Sequence, residues 1–421
     1  MKHRTTTAVV IGAVSALVLA GCAGGGTPSD GPVEVTLWHY WDGTNADAFD
    51  AMVDAYNESQ SEATVTVSNV PNADFLTKLR ASATSKTLPD IAIGDLVWVP
   101  QIAEIGSLAD LTGRIPDGTL SDINPALTAF GTIDGEQVSV PVSANNLGFM
   151  YNKTLFAEAG LDPESPPETW DELMETGRTI LEKTGKPGYD LFTQAGDSGE
   201  GVTWNYQVNL WQAGGEFLTD DNSAAAFNTP EGAQALQYWV DLIESGVSPY
   251  AKWGEFEKGQ GGSAQEGSWM VGIWAADPPF EFGSAKVPYP SDGEPATNLG
   301  GEQAMVFENS DAESKAAADF LSWFLEAEQV TDWSEETGML PVLDSVASGA
   351  DYLEWVESTE PRLLPFVEQM ADAHARPNTP LYPKVSLAFA QEIETALAGE
   401  ASVDEALDSA EQAVNDVLQN G

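Results

Sequence analysis

Aromatic residues and carboxylates occur together where predicted strands end. Tyr40, Trp41 and Asp42 follow the first predicted strand, and Asp95 follows the third. Indole and phenol rings offer flat apolar faces, and carboxylates accept hydrogen bonds from hydroxyl groups. The ends of strands in an open α/β sheet border the crevice in which ligands bind. These residues therefore predict a cleft for a ligand that has both hydroxyl groups and apolar faces, as a sugar has.

Further candidate ligand-binding residues lie in a polar joint between two predicted strands, in a loop-to-helix stretch, at the end of an apolar segment and towards the C terminus. They are Asn145, Trp204, Trp211, Trp274, Asp277, Gly300, Gly301 and Trp333. We favour Trp274 as the surface on which a ligand stacks, because we place it at a strand end beside a domain crossing. Trp253, Glu255 and Arg376 are secondary candidates.

Several of these residues have an equally simple structural interpretation. Asp42 could cap the helix that follows it, and Asp95 could do the same after the third predicted strand. Asn145 could satisfy the backbone of a turn. Gly300 and Gly301 could allow the backbone to approach a ligand, or only form a tight turn.

Composition excludes several other chemistries. The chain has 66 acidic and 17 basic residues, a formal charge of −49, and no basic cluster, which argues against nucleic-acid partners and anionic bilayer surfaces. Beyond residue 22 only His39 and His374 remain as imidazoles and no thiol remains, so we predict no metal site. Phosphate-binding loops and nucleophile-elbow motifs are missing from the sequence, so we predict no catalytic residues and no cofactor.

The N terminus has the pattern of an export signal. Lys2 and Arg4 precede an apolar run over residues 8–19, which is too short for a membrane span. The run ends in Leu-Ala-Gly-Cys, which resembles the bacterial lipobox, in which the cysteine is alkylated by a lipid before cleavage. We therefore predict a signal peptide over 1–21, a lipid anchor on Cys22 and a flexible tether over 22–32.

The elements that must position the candidates alternate between strand and helix. This order predicts an α/β fold with parallel strands, and 421 residues are too many for one compact core, so we expect two domains. Residues 137–142 and 147–151 are predicted strands on either side of the polar joint. Thr169 and Glu172 have the spacing of a capping box, which predicts a helix start.

Several segments resemble the extracellular solute-binding proteins of bacterial sugar ABC importers, the group that includes maltose-binding protein. They are 35–42, 89–95, 106–111, 140–142, 149–153, 155–160, 167–173, 267–274 and 338–342. Their order and spacing carry the resemblance over most of the chain. One element departs from the family, because the usual Gly-Lys-x-Ala-Met is here Gly267-Ser268-Trp269-Met270, without its lysine.

The resemblance implies a two-lobed periplasmic-binding-protein fold of type II, a Venus flytrap with discontinuous lobes and a hinge. One lobe would comprise 33–143 plus 297–328 and the other 144–296 plus 329–421. Ligand would bind between them and close them. The expected function is capture of a carbohydrate, in particular an oligosaccharide, by a monomeric, lipid-anchored, non-enzymatic protein that delivers it to a permease at the extracellular face of the cytoplasmic membrane.

Two alternatives remain open. The same fold could bind a polyol, a phosphorylated glycerol or a polyamine, and a polyamine site would also combine carboxylates with aromatic rings. A secreted glycoside hydrolase is the alternative from another class. It would need two carboxylates that flank the scissile bond, which a chain of 66 acidic residues could supply.

Overall fold

The computed structural model describes residues 31–275 and 278–421. The predicted signal peptide, Cys22 and nearly all of the predicted tether lie outside these residues, as does Asp277. None of the helices in the described ranges is both long and apolar enough to cross a membrane.

Twelve strands are found in the described residues. They are β1 (Val33–His39), β2 (Ala63–Asn69), β3 (Ile91–Asp95), β4 (Thr132–Ile133), β5 (Glu136–Gln137), β6 (Ser139–Pro141), β7 (Leu147–Asn152), β8 (Ser263–Gly267), β9 (Phe282–Ala285), β10 (Thr297–Leu299), β11 (Glu302–Val306) and β12 (Ala373–Ala375).

Helices account for most of the remaining ordered chain. They are α1 (Gly43–Ser59), α2 (Asn72–Ser85), α3 (Val99–Ala103), α4 (Asp117–Ser121), α5 (Pro125–Phe130), α6 (Lys153–Ala159), α7 (Trp170–Thr184), α8 (Glu200–Gln212), α9 (Pro230–Glu244), α10 (Trp269–Ala275), α11 (Asp311–Phe324), α12 (Ala327–Thr337), α13 (Asp344–Ala347), α14 (Ala350–Ser358), α15 (Leu364–Gln369), α16 (Tyr382–Leu397) and α17 (Val403–Asn420). Three 3₁₀ helices cover Leu96–Trp98, Pro361–Leu363 and Met370–Asp372.

The larger sheet has five strands in the order β2-β1-β3-β11-β6. The first three pair in parallel, as the alternation of strand and helix predicts, but β11 runs antiparallel to both of its neighbours. Strand β11 comes from a part of the chain some two hundred residues after β3, so this sheet is discontinuous in sequence.

The second principal sheet has the order β8-β7-β9, and both of its pairings are antiparallel. The expectation of parallel strands is wrong here, because β7 is flanked by strands that return to it from more than a hundred residues later. Helices α6 and α15 pack against this sheet, and α7 packs against α6.

The chain passes between the two sheets next to the polar joint predicted at Asn145. One passage joins β6 to β7, and a second joins β10 to β11 through Gly300 and Gly301. The backbones of Asn145 and Gly300 exchange two hydrogen bonds, of 3.0 and 2.9 Å. Gly301 has a φ of +145°, and a Cβ there would lie 2.2 Å from the carbonyl oxygen of Ser143, so only glycine fits.

Local signals in the sequence locate many element ends correctly. The Thr169–Glu172 capping box is present at the start of α7, and Gly160 ends α6 in the left-handed conformation with a φ of 81°. The terminal helix spans Val403–Asn420. The segment that ends in Trp274 is a helix, α10, where we predicted a strand.

Candidate ligand-binding cleft

A cavity of about 670 Å³ lies between the end of the five-stranded sheet and helices α8, α10 and α16. This volume is within the usual range for small-molecule sites. The sheet contributes residues that follow β1 and β3 or begin β11, and the facing helices contribute aromatic and acidic side chains. Its lining residues include Tyr40, Trp41, Asp42, Asn45, Asp95, Trp98, Asn145, Ser198, Glu200, Trp204, Glu257, Trp269, Met270, Ile273, Trp274, Gly301, Glu302, Met339, Arg376 and Tyr382.

Eight of the predicted ligand-binding residues line this cavity. They are Tyr40, Trp41, Asp42, Asp95, Asn145, Trp204, Trp274 and Gly301. Gly300 lies directly behind them, since a Cβ on it would be 2.1 Å from Oδ1 of Asn145. Asp277 lies outside the described residues.

Two predicted residues lie elsewhere. Trp333 is 1% exposed on α12, where its ring packs against Trp41 at a centroid distance of 4.7 Å, so it belongs to the core. Trp211 is 6% exposed at the end of α8 and stacks on His374 at 5.0 Å. Both rings are covered by protein neighbours, and we correct their assignment.

Trp41 and Trp274 reach the cavity wall but are mostly buried. Trp41 is 4% exposed, and its ring lies 4.9 Å from that of Phe49. Trp274 is 7% exposed and lies 5.3 Å from the ring of Phe282, inside a cluster of phenylalanines. Neither indole offers a free face, so our preference for Trp274 as the stacking surface is not supported by its packing.

Trp204 and Trp269 are the aromatic residues with the more open geometry. Their rings are parallel within 6° at a centroid distance of 5.7 Å, and both are partly exposed. Nε1 of Trp204 is without a hydrogen-bond partner in the described structure. Both rings line the helical side of the cleft.

Arg376 joins the two sides of the cleft. Its guanidinium donates to Asp95 across the cavity at 2.7 and 3.3 Å, and to Glu200 on α8 at 2.8 Å. Burial alone would lower the pKa of Arg376, but the two carboxylates raise this pKa by more than burial lowers it. The guanidinium therefore stays charged. The guanidinium also lies 5.2 Å above the ring of Trp204.

Glu200 on α8 fixes the orientation of the Arg376 guanidinium and is itself held by two hydroxyl groups. Besides the guanidinium, its carboxylate accepts hydrogen bonds from the hydroxyl groups of Tyr382 at 3.1 Å and Ser386 at 2.6 Å. Both partners are on α16, so α8 and α16 are held together at the floor of the cleft.

On the sheet side, Glu302 begins β11 and is 5% exposed. Its carboxylate accepts a hydrogen bond from the Tyr40 hydroxyl at 2.8 Å and another from the Ser143 hydroxyl. Burial raises the pKa of Glu302 to about 7, although both hydrogen bonds act in the opposite direction.

The structure also bears on the alternatives for Asp42, Asp95 and Asn145. Asp42 precedes α1, but its side chain makes no capping hydrogen bond. Asp95 caps the 3₁₀ helix that follows it by accepting from the backbone N–H of Val97 at 3.1 Å, and it also lines the cavity, so its predicted role in ligand binding stays a prediction. Oδ1 of Asn145 is buried and without a partner in the described structure.

The sequence interpretation missed Glu200, Trp269 and Glu302, and ranked Arg376 as secondary. Glu200 begins a helix and Glu302 begins a strand, in both cases without a motif around them. The departure from the family pattern at Ser268-Trp269 was the one local signal that pointed to an additional aromatic residue.

Comparison with known proteins gives consistent matches. Residues 51–360 match the model of a family described as bacterial extracellular solute-binding protein. The sn-glycerol-3-phosphate-binding periplasmic protein of Yersinia pestis is 24% identical over 333 residues, which cover 73% of this chain and 74% of that protein. The maltotriose-binding protein of Pyrococcus abyssi is 22% identical and covers 83% of this chain, with 74% of its own length matched.

Among solved structures, the cyclic α-maltosyl-1,6-maltose binding protein of Arthrobacter globiformis is 86% identical, with a TM-score of 0.86. The match covers 93% of this chain and all of that one. The GacH receptor of Streptomyces glaucescens is 23% identical with a TM-score of 0.81, over 92% of this chain and 99% of that one, and shows the same fold.

Proposed function

Because the chain belongs to the bacterial extracellular solute-binding proteins, we propose that it captures an oligosaccharide in its cleft and delivers it to the permease of an ABC importer. Its fold is the expected type II periplasmic-binding-protein fold, with helices and mixed sheets arranged as in the Arthrobacter globiformis protein. The cleft is the site at which we place the ligand.

The observation that carries the proposal is that the parallel rings of Trp204 and Trp269 line the same cavity as several hydrogen-bonding groups. A pyranose ring can lie on an indole face through its C–H groups while its hydroxyls reach Asp95, Asn145 and Tyr40. The 86% identical relative is named for a cyclic maltosyl-maltose, so an oligosaccharide of α-linked glucose is the favoured ligand.

The charges in the cleft disfavour a phosphorylated ligand. Arg376 is the single cation among the described residues that line the cavity, and it is already paired with Asp95 and Glu200. A phosphorylated glycerol would have to compete with these carboxylates for the guanidinium. A polyamine would find the same two carboxylates occupied, but Asp42, Glu257 and Glu302 also line the cavity, so direct titration decides between a polyamine and a sugar.

We further propose that the protein works as a tethered, monomeric binding protein without catalytic activity. The lipobox-like sequence supports a lipid anchor on Cys22, with the tether over 22–32 and export directed by 1–21. The lobes, 33–143 plus 297–328 and 144–296 plus 329–421, would close about the passages beside Asn145 and Gly300. The site would then lie at the extracellular face of the cytoplasmic membrane.

Calorimetric titration of a soluble form that begins at residue 33 tests the ligand. Cyclic α-maltosyl-1,6-maltose and linear maltotetraose are titrated beside glycerol 3-phosphate and spermidine. We expect heat from the glucose oligosaccharides alone, and recovery of the sugar unchanged after long incubation. Binding of spermidine or glycerol 3-phosphate without binding of any sugar would overturn the proposal, and cleavage of the sugar would favour the hydrolase.

The anchor is tested with the full chain in a bacterial host. Wild-type protein is expected in the membrane fraction with incorporated labelled fatty acid, and Cys22→Ser is expected to lose both the label and the membrane attachment. Equal labelling of the two proteins would contradict the anchor at this residue.

A further inference from the structure

We propose that Glu302 is a positioning residue, which holds the Tyr40 hydroxyl so that its oxygen accepts a hydrogen bond from the bound sugar. This inference rests on the proposed function, because it assigns a role in the same cleft. Neither the sequence interpretation nor the comparisons assign any role to Glu302.

The geometry gives Tyr40 one free lone pair and a fixed direction. Its hydroxyl proton is donated to Glu302 at 2.8 Å, so the phenol oxygen can act towards the cleft only as an acceptor. The ring itself is held by Trp98 at a centroid distance of 5.5 Å and by the edge of Phe75 at 5.9 Å. Without Glu302, the hydroxyl could rotate and donate in any open direction.

Glu302 is in turn held by Ser143, which lies in the chain passage between the two sheets. Its second carboxylate oxygen accepts from the Ser143 hydroxyl, and its backbone N–H donates to the same Ser143 oxygen at 3.0 Å. Ser143 lies on the first passage and Glu302 directly follows the second. The Glu302 carboxylate therefore connects the Tyr40 hydroxyl to the first passage through Ser143, and to the second passage through its own place in the chain. These are the two passages about which the lobes would close.

Burial is the main influence on the pKa of Glu302, and three titratable neighbours modify it. Asp95 stands directly opposite it in the β3–β11 pairing and raises the pKa of Glu302, whereas Arg376 and the Tyr40 hydrogen bond lower it. Burial acts more strongly than any of these, and the pKa of Glu302 is about 7.

An ionised carboxylate accepts from both hydroxyls at once, whereas a protonated one has a proton of its own to donate. If the added proton sits on the oxygen that faces Tyr40 and is donated to the phenol oxygen, the Tyr40 hydroxyl has to turn. When the Tyr40 hydroxyl turns, its proton points at the ligand hydroxyl that would otherwise donate a hydrogen bond to the phenol oxygen. Affinity for the sugar should then weaken as the pH falls from 8 to 6.

A double-mutant cycle on the soluble protein, titrated with cyclic α-maltosyl-1,6-maltose, tests the assignment. Glu302→Gln and Tyr40→Phe should each raise Kd about tenfold, the size of one lost hydrogen bond. The double variant should be no weaker than Tyr40→Phe alone, because Glu302 acts through Tyr40. The wild-type loss of affinity between pH 8 and pH 6 should be absent in Glu302→Gln.

Glu308→Gln is the matched control, because it is the same change at an exposed residue just beyond the other end of β11. It should leave Kd and its pH dependence unchanged. Additive effects of Glu302→Gln and Tyr40→Phe would overturn the positioning role and make Glu302 an independent contact. A wild type that binds none of the sugars would instead contradict the proposed function.

A measurement without ligand separates the two failures. In protein labelled with ¹³C at glutamate carboxyls, the resonance missing from Glu302→Gln should titrate near pH 7 in the wild type. Tyr40→Phe removes a hydrogen bond to the ionised form and should move this titration to higher pH. A resonance that titrates below pH 5, or that Tyr40→Phe leaves unmoved, would overturn the inference whichever ligand binds.

Discussion

At the scale of single residues, exposure divides the tryptophans that contribute to the cleft or lie behind it. Trp204 and Trp269 are partly exposed, whereas Trp41, Trp274 and Trp333 are at most 7% exposed and pack against other rings. The residues that flank these five indoles do not separate the exposed rings from the buried ones, so the sequence could not divide them. The difference comes from residues that approach each ring from distant parts of the chain.

Trp204→Ala should weaken binding of the sugar with little loss of stability. Removing a large flat contact at a binding site commonly costs about 2 kcal/mol, which is about thirtyfold in Kd. Calorimetry with cyclic α-maltosyl-1,6-maltose measures the change. Trp355→Ala is the control, because Trp355 is also partly buried but is absent from the cavity lining, and its Kd should equal that of the wild type.

Trp41→Ala should have a different effect from Trp204→Ala. Because this ring is packed among His39, Phe49 and Trp333, its removal leaves a cavity in the core, and we expect a loss of about 3–5 kcal/mol of unfolding free energy. Urea denaturation of the ligand-free protein checks this. An unchanged denaturation midpoint together with lost binding would show that Trp41 is a ligand contact.

Glu266 on β8 should make the stability of the protein fall as the pH rises. It is 7% exposed, and burial, followed by the charges of Glu257 and Asp190, raises its pKa from 4.5 to about 8. Between these two values the folded state binds a proton that the unfolded state releases, so stability is present below about pH 4.5 and is lost as the pH rises through 8.

Glu266→Gln should remove this loss, since the amide resembles the protonated acid. Between pH 5 and 7 the wild type should lose about 1.4 kcal/mol per pH unit more than the variant, measured by urea denaturation. The exposed Glu328→Gln is the control and should follow the wild type. Parallel curves for Glu266→Gln and the wild type would show that the carboxyl is already ionised in the folded state.

At the scale of elements, the sequence predicted those whose ends carry local signals. The capping box of α7 and the left-handed Gly160 after α6 act within a few residues, so they can be read from the local sequence. The segment Trp-Met-Val-Gly-Ile-Trp has no such signal, and a short apolar run fits a strand or a buried helix equally well. Its helical form, α10, is fixed by packing against α12.

Gly272 is the point at which this packing is closest. A Cβ on Gly272 would lie 2.2 Å from the carbonyl oxygen of Thr337, which is backbone and cannot move aside cheaply. Two segments that carried the family resemblance, 267–274 and 338–342, thus meet in space behind the cleft. Their contact sets the position from which Trp269 lines the cleft.

Gly272→Ala should push α10 towards the cleft and reduce both stability and affinity. Overpacking of this kind costs about 1–3 kcal/mol, even though alanine favours helices intrinsically. Thermal unfolding and calorimetric titration report the two effects. Gly118→Ala on α4 is the control, since a Cβ there meets nothing within 4 Å, and it should be neutral or slightly stabilising.

At the scale of the whole molecule, periodicity could predict two domains but not how they interleave. Strand β11 lies between β3 and β6 in the first sheet, although α6–α10 and the second sheet intervene in sequence. Pairings over such distances leave no local pattern, and only the resemblance to the binding-protein family indicated discontinuous lobes. The Asp95–Arg376 ion pair, which spans 281 residues, was beyond sequence reasoning for the same reason.

The formal charge of −49 acts on the molecule as a whole. Carboxylates distributed over the surface repel one another and favour expanded states, and salt screens this repulsion over about 10 Å at 0.1 M. The buried Arg376 pairs are screened much less, so salt should weaken them little. The melting temperature should therefore rise by about 2–4 °C between 10 and 300 mM NaCl, which corresponds to about 2–4 kcal/mol for a chain of 421 residues. The same experiment at pH 4.5, where many carboxylates are protonated, should show a smaller rise in melting temperature. A melting temperature that falls as salt is added would mean that ion pairs outweigh the repulsion between carboxylates.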